Sequence, residues 1–218
     1  MTMTGAYIDS ETTGLSNSDE LIELAVVIFR FDISARKPIK VLQSYSGLRE
    51  PHCPIGQGAQ QVHGITAREV RGKRLHDGRV ISMLEKAEFV VAHNAAFDRR
   101  FVLKLYPMAG EVPWHCSMNG IAWDRKGFDS KGLGYLLEAH QIKVGRAHRA
   151  LDDVKGALRL LATVDRSTGL PYMAELLGLN QIAEHPKGKM RWIVKLVLAL
   201  AALSLAPLLC GVLAEAFG

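Results

Sequence analysis

Two acids near the N-terminus have the spacing of a metal-binding pair. Asp9 and Glu11 flank Ser10 at the end of a short segment that favours a β-strand. Side chains two residues apart on a strand lie on the same face, so both carboxylates point the same way. Like charges this close repel unless a proton or a cation lies between them, and hard divalent ions prefer such oxygen ligands. A solvated strand end is the alternative interpretation of this pair taken alone.

A third acid, Asp98, follows an apolar strand-like segment, residues 89–92, and begins an amphipathic helix. It lies four residues before Val102 and seven before Leu105, which places it on or beside the buried face of that helix. A buried carboxylate without a partner is costly, so we expect a cation or hydrogen-bond donors beside it. An ordinary acid at a helix N-terminus, stabilised by the helix dipole, is the alternative interpretation.

The third cluster consists of His148 and the neighbouring acids Asp152 and Asp153. Residues five apart on an ideal helix are rotated by roughly 140°. His148 is therefore predicted in a loop before a helix, and Asp153 in the first turn of that helix. This arrangement lets a histidine and an acid converge on one point. Acids that merely begin a helix are again the alternative for this cluster alone.

The elements that must position these residues indicate an α/β domain. Three strands with short connections are predicted over 5–9, 21–31 and 41–47, which is typical of an antiparallel meander. Apolar residues at helical spacing then mark three helices, through Phe97, Phe101 and Leu105, through Leu133, Leu136 and Leu137, and through Leu151, Val154, Leu158 and Leu161. One edge of the resulting mixed sheet, flanked by helices, can gather all the clusters. Such a site could hold two Mg²⁺ or Mn²⁺ ions about 4 Å apart and hydrolyse a phosphodiester in line.

The motifs resemble the DEDDh family of 3′→5′ exonucleases, which includes the proofreading ε subunit of bacterial DNA polymerase III and its stand-alone relatives. The matching segments are 9–15 (DSETTGL), 93–98 (HNAAFD) and 148–153 (HRALDD), with 62–66 (VHGIT) between the first two. The similarity covers roughly residues 1–163 in the order that the family has. It implies an RNase H-like fold and an enzyme that removes nucleoside monophosphates from a free 3′ end.

The resemblance also implies roles for individual residues. Four acids would bind the two metal ions, namely Asp9, Glu11, Asp98 and Asp153. His148 would be the general base that takes a proton from the attacking water, a role suited to a side chain that changes charge near neutral pH. By register the ligand in the third motif is predicted to be Asp153, with Asp152 turned away.

Five further residues match positions at which relatives hold the 3′-terminal nucleotide, namely Thr12, Thr13, Leu15, His63 and Phe97. Leu15 and Phe97 suit packing on a base or sugar, a contact that tolerates any sequence. Either residue could instead belong to the ordinary core. No pattern specifies a base, so the expected substrate is a single-stranded or frayed 3′ end, with DNA favoured over RNA.

The composition fits a folded protein in a reducing compartment. Of 218 residues, 48% are hydrophobic and 22% are charged, which excludes a disordered chain. Cys53, Cys116 and Cys210 are far apart and lack metal-ligand spacing, so ordinary buried thiols in a reducing compartment are expected. The formal net charge of +5 fits a polyanionic partner without requiring one.

The composition changes abruptly near residue 184. We place a domain boundary there, between an exonuclease-like domain over 1–184 and a tail over 185–218. Residues 196–214 carry no charge, and at about 1.5 Å per residue they span close to the 30 Å hydrocarbon core of a bilayer.

Basic residues precede this apolar run, and a tryptophan lies at its edge: Lys187, Lys189, Arg191, Lys195 and Trp192. This pattern favours a transmembrane helix over 192–214, with the basic side and the domain before it in the cytoplasm. A buried helix or an oligomer interface is the alternative, which Pro207 slightly favours, although membrane helices tolerate proline.

Three other functions are alternatives to the main hypothesis of a DNA exonuclease. An exoribonuclease of the RNase T or oligoribonuclease type shares the same chemistry. A non-catalytic, membrane-tethered nucleic-acid-binding module would be expected to have lost at least one of the acids, and all are present. A proofreading polymerase subunit would end in a soluble polymerase-binding segment, so the apolar tail argues against stable polymerase association.

Overall fold

The computed structural model describes residues 2–145 and 147–179. One sheet runs in the order β3-β2-β1-β4-β5. Its strands are β1 (Thr2–Thr12), β2 (Leu21–Asp32), β3 (Ile39–Leu48), β4 (Phe89–Ala92) and β5 (Trp114–Cys116). The first three are antiparallel neighbours, whereas β4 runs parallel to β1 and β5 parallel to β4. The predicted antiparallel start and the mixed sheet are confirmed.

The helices of the described residues are α1 (Gln57–His63), α2 (Ala67–Val70), α3 (Asp77–Leu84), α4 (Ala95–Leu105), α5 (Leu133–Ala139), α6 (Ala150–Ala162) and α7 (Tyr172–Leu176). Single 3₁₀ turns occupy Pro107–Gly110 and Asp124–Lys126. The three helices predicted from apolar spacing are α4, α5 and α6. The remaining helices and β5 were not predicted from the apolar pattern.

The alternation of side chains on β1 separates its apolar face from its acidic face. Ala6 and Ile8 belong to a buried cluster with residues of α3 and α4. Asp9 and Glu11 alternate with these residues, so they point to the other face. That face carries α6, whose first residue, Ala150, donates its N–H to Glu23 on β2.

Helices therefore cover both faces of the sheet, as expected for an RNase H-like fold. The C-terminal end of β1 lies between the N-terminal turns of α4 and α6, and this is where the acidic motifs meet. No helix within 2–145 and 147–179 is long and apolar enough to cross a membrane. The predicted transmembrane segment over 192–214 and the predicted domain boundary near 184 lie outside the described residues.

Candidate active site

A cleft of about 660 Å³ opens at the C-terminal end of β1. All five residues predicted to be catalytic line this cleft, namely Asp9, Glu11, Asp98, His148 and Asp153. β1 supplies the first two, α4 supplies Asp98, and the segment entering α6 supplies the last two. The three motifs are thus separate in sequence and adjacent in the fold.

Asp98 is held in place from β1. It lies in the first turn of α4 and is 2% exposed. The buried hydroxyl of Ser10 donates a 2.7 Å hydrogen bond to its Oδ1. Asn94, which precedes α4, has a φ of 69°, a left-handed conformation that asparagine tolerates better than most residues. Ser10, the residue between the two acids of the first motif, therefore orients the acid of the second motif.

The third motif enters α6 as predicted. His148 lies in the loop before the helix with a φ of 57°, and Asp153 lies in the first turn. The backbone N–H of His148 donates a 3.0 Å hydrogen bond to Oδ2 of Asp153. Asp152 does not line the cleft, and its Oδ1 lies 3.4 Å from Nζ of Lys155.

The four motif acids that line the cleft, namely Asp9, Glu11, Asp98 and Asp153, have raised pKa values. Burial raises the pKa of Asp9 well above its ordinary value, and repulsion from Asp98, Glu11 and Asp153 adds to this effect. Burial followed by repulsion from Glu23 and Asp153 raises the pKa of Glu11 to about 8. Burial raises the pKa of Asp98 to about 7, despite the hydrogen bond from Ser10. Burial also raises the pKa of Asp153.

The chemistry of this donor set fits divalent cations. One ligand atom from each of Glu11, His148 and Asp153 can be chosen so that all lie within 4.8 Å of one another. Over the described part of the chain, no lysine or arginine forms an ion pair with the four acids of the cleft. Clustered oxygen ligands without a built-in cation are what Mg²⁺ or Mn²⁺ requires.

A second pocket of about 560 Å³ adjoins the cleft and shares Glu11, Asn94 and Phe97 with it. Its lining includes the five residues predicted to hold a 3′-terminal nucleotide, namely Thr12, Thr13, Leu15, His63 and Phe97. The structure thus brings together all the residues singled out for substrate binding, directly beside the acids.

The polar members of this group are engaged with the protein itself. The hydroxyl of Thr12 donates to the carbonyl of Gly14 at 2.6 Å, and that of Thr13 donates to Oδ1 of Asp19 at 2.8 Å. Nδ1 of His63 accepts the N–H of Ile65 at 2.9 Å, so Nε2 is left to donate to the carbonyl of Thr12 at 3.3 Å. These side chains shape the pocket wall.

The apolar members are the ones that offer free surface. Leu15 is 79% exposed, so it is not part of the core. Phe97 is partly buried. It packs against the apolar cluster that contains Ala6 and Ile8 of β1, and it lines both the pocket and the cleft. An exposed leucine and an aromatic edge on one pocket suit a flat, partly apolar ligand such as a base.

The loop that carries Leu15 is fixed from α4. Arg100 donates to the carbonyl of Leu15 at 2.9 Å and to Oδ1 of Asn17 at 3.1 Å. Nζ of Lys104 donates to the carbonyls of Asn17 and Asp19. Both basic side chains are therefore directed to the backbone of this loop.

Two residues beside the motif acids were given no role from the sequence, namely Glu23 and His93, although His93 begins the second motif. His93 accepts from the hydroxyl of Ser117 at 3.0 Å through Nδ1 and donates to the carbonyl of Lys131 at 2.8 Å, which fixes the loop before α5. Glu23 is 2% exposed on β2 and binds Arg149. A lone acid within the apolar run LIELAVVIF was the signal that could have identified Glu23.

Known proteins resemble the part of this chain that contains the three motifs. The profile of a family described as Exonuclease (RNase_T) matches residues 7–161. PolC-type DNA polymerase III of Thermotoga maritima is 28% identical over 201 residues, which cover 85% of this chain and 13% of that protein. The chain therefore spans only a small part of that relative.

Two other similar proteins are nearer to this chain in length. Exodeoxyribonuclease 10 of Escherichia coli K12 is 29% identical over 210 residues, which cover 85% of this chain and 88% of that protein. The solved structure of Exonuclease X in complex with 5′ overhanging duplex DNA is 28% identical, with a TM-score of 0.50, and the match covers 71% of this chain and 87% of that one.

Proposed function

Because the chain belongs to the Exonuclease (RNase_T) family, we propose that it hydrolyses phosphodiester bonds at free 3′ ends and releases nucleoside 5′-monophosphates. The observation that carries this proposal is the meeting of three distant motifs at one cleft. The four acids of these motifs and His148 line it, and a pocket with apolar surface adjoins it. The reacting phosphate and the last nucleotide would occupy the cleft and the pocket, respectively.

Asp9, Glu11, Asp98 and Asp153 would hold two Mg²⁺ or Mn²⁺ ions. Such ions activate water and neutralise the charge that develops on the phosphate. The raised pKa values of the acids support this role. A bound cation would offset both the cost of burying the carboxylate charges and the repulsion between them, which are the two causes of the raised pKa values. His148 is exposed at the mouth of the cleft and would take the proton from the attacking water.

We propose DNA as the substrate, with a single-stranded or frayed 3′ end. Exodeoxyribonuclease 10 acts on DNA by its name, and Exonuclease X was solved with duplex DNA. Leu15 and Phe97 would pack on the terminal base or sugar, which makes binding tolerant of sequence. The fixed loop under Leu15 supports this role, because an immobile contact surface loses less entropy on binding.

Digestion of end-labelled strands by the full-length protein tests this function. With Mg²⁺, 5′-labelled single-stranded DNA should shorten stepwise, whereas 3′-labelled DNA should release labelled mononucleotide at once. The His148→Ala variant should turn over about 10²- to 10⁴-fold more slowly. Full activity in excess EDTA, or release of mononucleotides from the 5′ end first, would contradict the proposal. Faster digestion of matched RNA would make the chain an exoribonuclease, and binding without cleavage would make it a non-catalytic module.

We also propose that residues 192–214 anchor the protein in a membrane, with the nuclease domain in the cytoplasm. The support is the uncharged run and the basic residues that precede it. The full-length protein should then resist extraction by high salt and alkaline carbonate and yield only to detergent. Release by salt alone would indicate electrostatic attachment, because salt screens charge and leaves apolar insertion intact.

A further inference from the structure

Glu23 is a charged residue near the start of an apolar strand. Its neighbours on β2 are buried, and its own side chain is 3% exposed. In the antiparallel register of the sheet, Glu23 pairs directly with Glu11 of the cleft. A buried carboxylate beside another acid requires compensation, and Arg149 provides it from the entrance to α6.

The contact between these two residues is a fork. Nε of Arg149 lies 3.2 Å from both carboxylate oxygens of Glu23, and Nη2 donates to Oε1 at 2.8 Å. The N–H of Ala150 donates to Oε2 at 3.2 Å. Bidentate, charge-assisted bonds are strong and directional, so they fix the N-terminus of α6 relative to β2.

The pair lies next to a backbone conformation that needs support. His148 has a φ of 57°, a left-handed conformation that is unfavourable for a residue other than glycine. One restraint on it is the bond from its N–H to Asp153. That bond uses an oxygen of a proposed metal ligand, whereas the contact of Arg149 with Glu23 uses none.

We propose that Glu23 and Arg149 form a positioning pair, which sets the location of His148 and Asp153 relative to the acids of β1. Glu23 is fixed by the sheet register opposite Glu11, and Arg149 transmits that position to the residue before it and to the helix after it. Neither residue lines the cleft or the adjoining pocket. The proposal rests on the proposed function, because it assigns the pair to the general base and to one metal ligand.

A structural role alone accounts poorly for this pair. A buried ion pair commonly adds no stability over apolar residues of similar volume. A positioning role predicts a different signature, which is a loss of kcat with KM little changed. Displacing a reacting group by about 1 Å, or removing an outer partner of a metal ligand, typically costs 10- to 100-fold in activity.

The test compares full-length Arg149→Met, Arg149→Lys, Glu23→Gln and the Glu23→Gln/Arg149→Met double variant. Arg149→Met should lower kcat about 10- to 100-fold, and Arg149→Lys should lie between it and the wild type, because lysine keeps the charge but not the fork. The double variant should be no slower than the slower single variant, since both changes break one contact. Amide hydrogen exchange over 148–150 should accelerate in the same variants.

The matched control is Lys126→Met, which breaks another buried ion pair at a distance from the cleft. It should lower stability while leaving kcat of the folded protein unchanged. A kcat for Arg149→Met close to the wild type would overturn the proposal. So would a rise in KM at constant kcat, which would place Arg149 on the substrate, or losses that multiply in the double variant.

Two measurements keep the proposal testable if a variant or the activity fails. Should Arg149→Met not fold, Arg149→Lys and Glu23→Gln decide the question, since normal melting temperatures with wild-type kcat would overturn it. Should the wild-type protein lack nuclease activity, the proposed function fails. In that case hydrogen exchange over 148–150 still tests the pair, and unchanged exchange in the variants would overturn it.

Discussion

Two groups of acids within the described residues differ in the source of the compensating positive charge. At one, Lys126 binds Asp165 and lies 2.6 Å from Oε2 of Glu175. Burial alone would raise the pKa of Asp165, but the bonds from Lys126 and Ser167 lower it below its usual value. Lys126 lies in a 3₁₀ turn, Asp165 in the segment that follows α6, and Glu175 in α7. The lysine therefore links these three elements.

The motif acids of the cleft are buried or partly buried, but they lack such a partner among the described residues. Their pKa values rise, to about 8 for Glu11 and about 7 for Asp98. The comparison teaches that a cluster neutralised by its own lysine needs no further cation, whereas a cluster left without one is suited to a cation from solution. The first group is complete in the folded chain, and the second is completed by a ligand.

The largest expected effect comes from removing a single cleft acid. Asp153→Asn should abolish measurable hydrolysis, because a metal ligand is lost and the remaining acids no longer hold both ions. The neighbouring change Asp152→Asn is the control, since Asp152 points to Lys155. It should retain most of the activity in the same end-labelled digestion. If Asp152→Asn were the inactive variant, the register assigned to the third motif would be wrong.

The next effect concerns the lysine-centred cluster and should appear in stability alone. Lys126→Met leaves Asp165 and Glu175 buried without their cation, and breaking a buried pair costs about 3–5 kcal/mol. Urea denaturation measures this loss. The exposed neighbour provides the control, because Arg125→Met should change the unfolding free energy by no more than about 0.5 kcal/mol. A comparable loss of kcat in folded Lys126→Met would remove the distinction between the two clusters.

The sequence predicts those features of the site that lie within a single segment of the chain. The Asp9–Glu11 pair, the apolar run before Asp98 and the five-residue spacing from His148 to Asp153 are each visible within one segment. The strands follow from alternation and β-branched residues, and α6 from its apolar period. Family resemblance then indicates that these segments share one site, which spacing alone leaves open.

The parts that depend on pairing between distant segments were not predicted. Lys126 and Asp165 are 39 residues apart, and no local pattern marks them as partners. The register that places Glu23 opposite Glu11 arises from strand pairing, and a shift by one residue would reverse which side chains face α6. Leu15 shows the same limit, because either a core or a surface position fits its type, and the fold exposes it.

The smallest expected effect is a pH-dependent stabilisation by metal. In the absence of metal, Glu11 and Asp98 hold protons in the folded state at pH values at which the unfolded chain has released them. The unfolding free energy should therefore fall as the pH rises from 5 to 8, through the raised pKa values of about 7 and about 8. Asp165 has a lowered pKa, so its contribution is lost only under more acidic conditions and stays constant over this range.

Metal binding should offset that fall. At 100 times its dissociation constant, one ion adds about 2.7 kcal/mol, which corresponds to roughly 5–10 °C in melting temperature for a domain of this size. The rise in melting temperature on adding metal should be larger at pH 8 than at pH 5, because at pH 5 protons compete with the metal for the same oxygens. Melting curves with EDTA and with Mn²⁺ at both pH values measure it.

Asp98→Asn sharpens this test, because it removes one of the unpaired buried charges while keeping the shape of the side chain. The variant should melt at a higher temperature than the wild type at pH 8 in EDTA, and it should respond less to Mn²⁺. Lys126→Met, by contrast, should keep the full response to Mn²⁺, since its cluster lies outside the cleft. A wild-type melting temperature that rises from pH 5 to pH 8 in EDTA, or that ignores Mn²⁺, would show that the cleft acids are compensated within the chain after all.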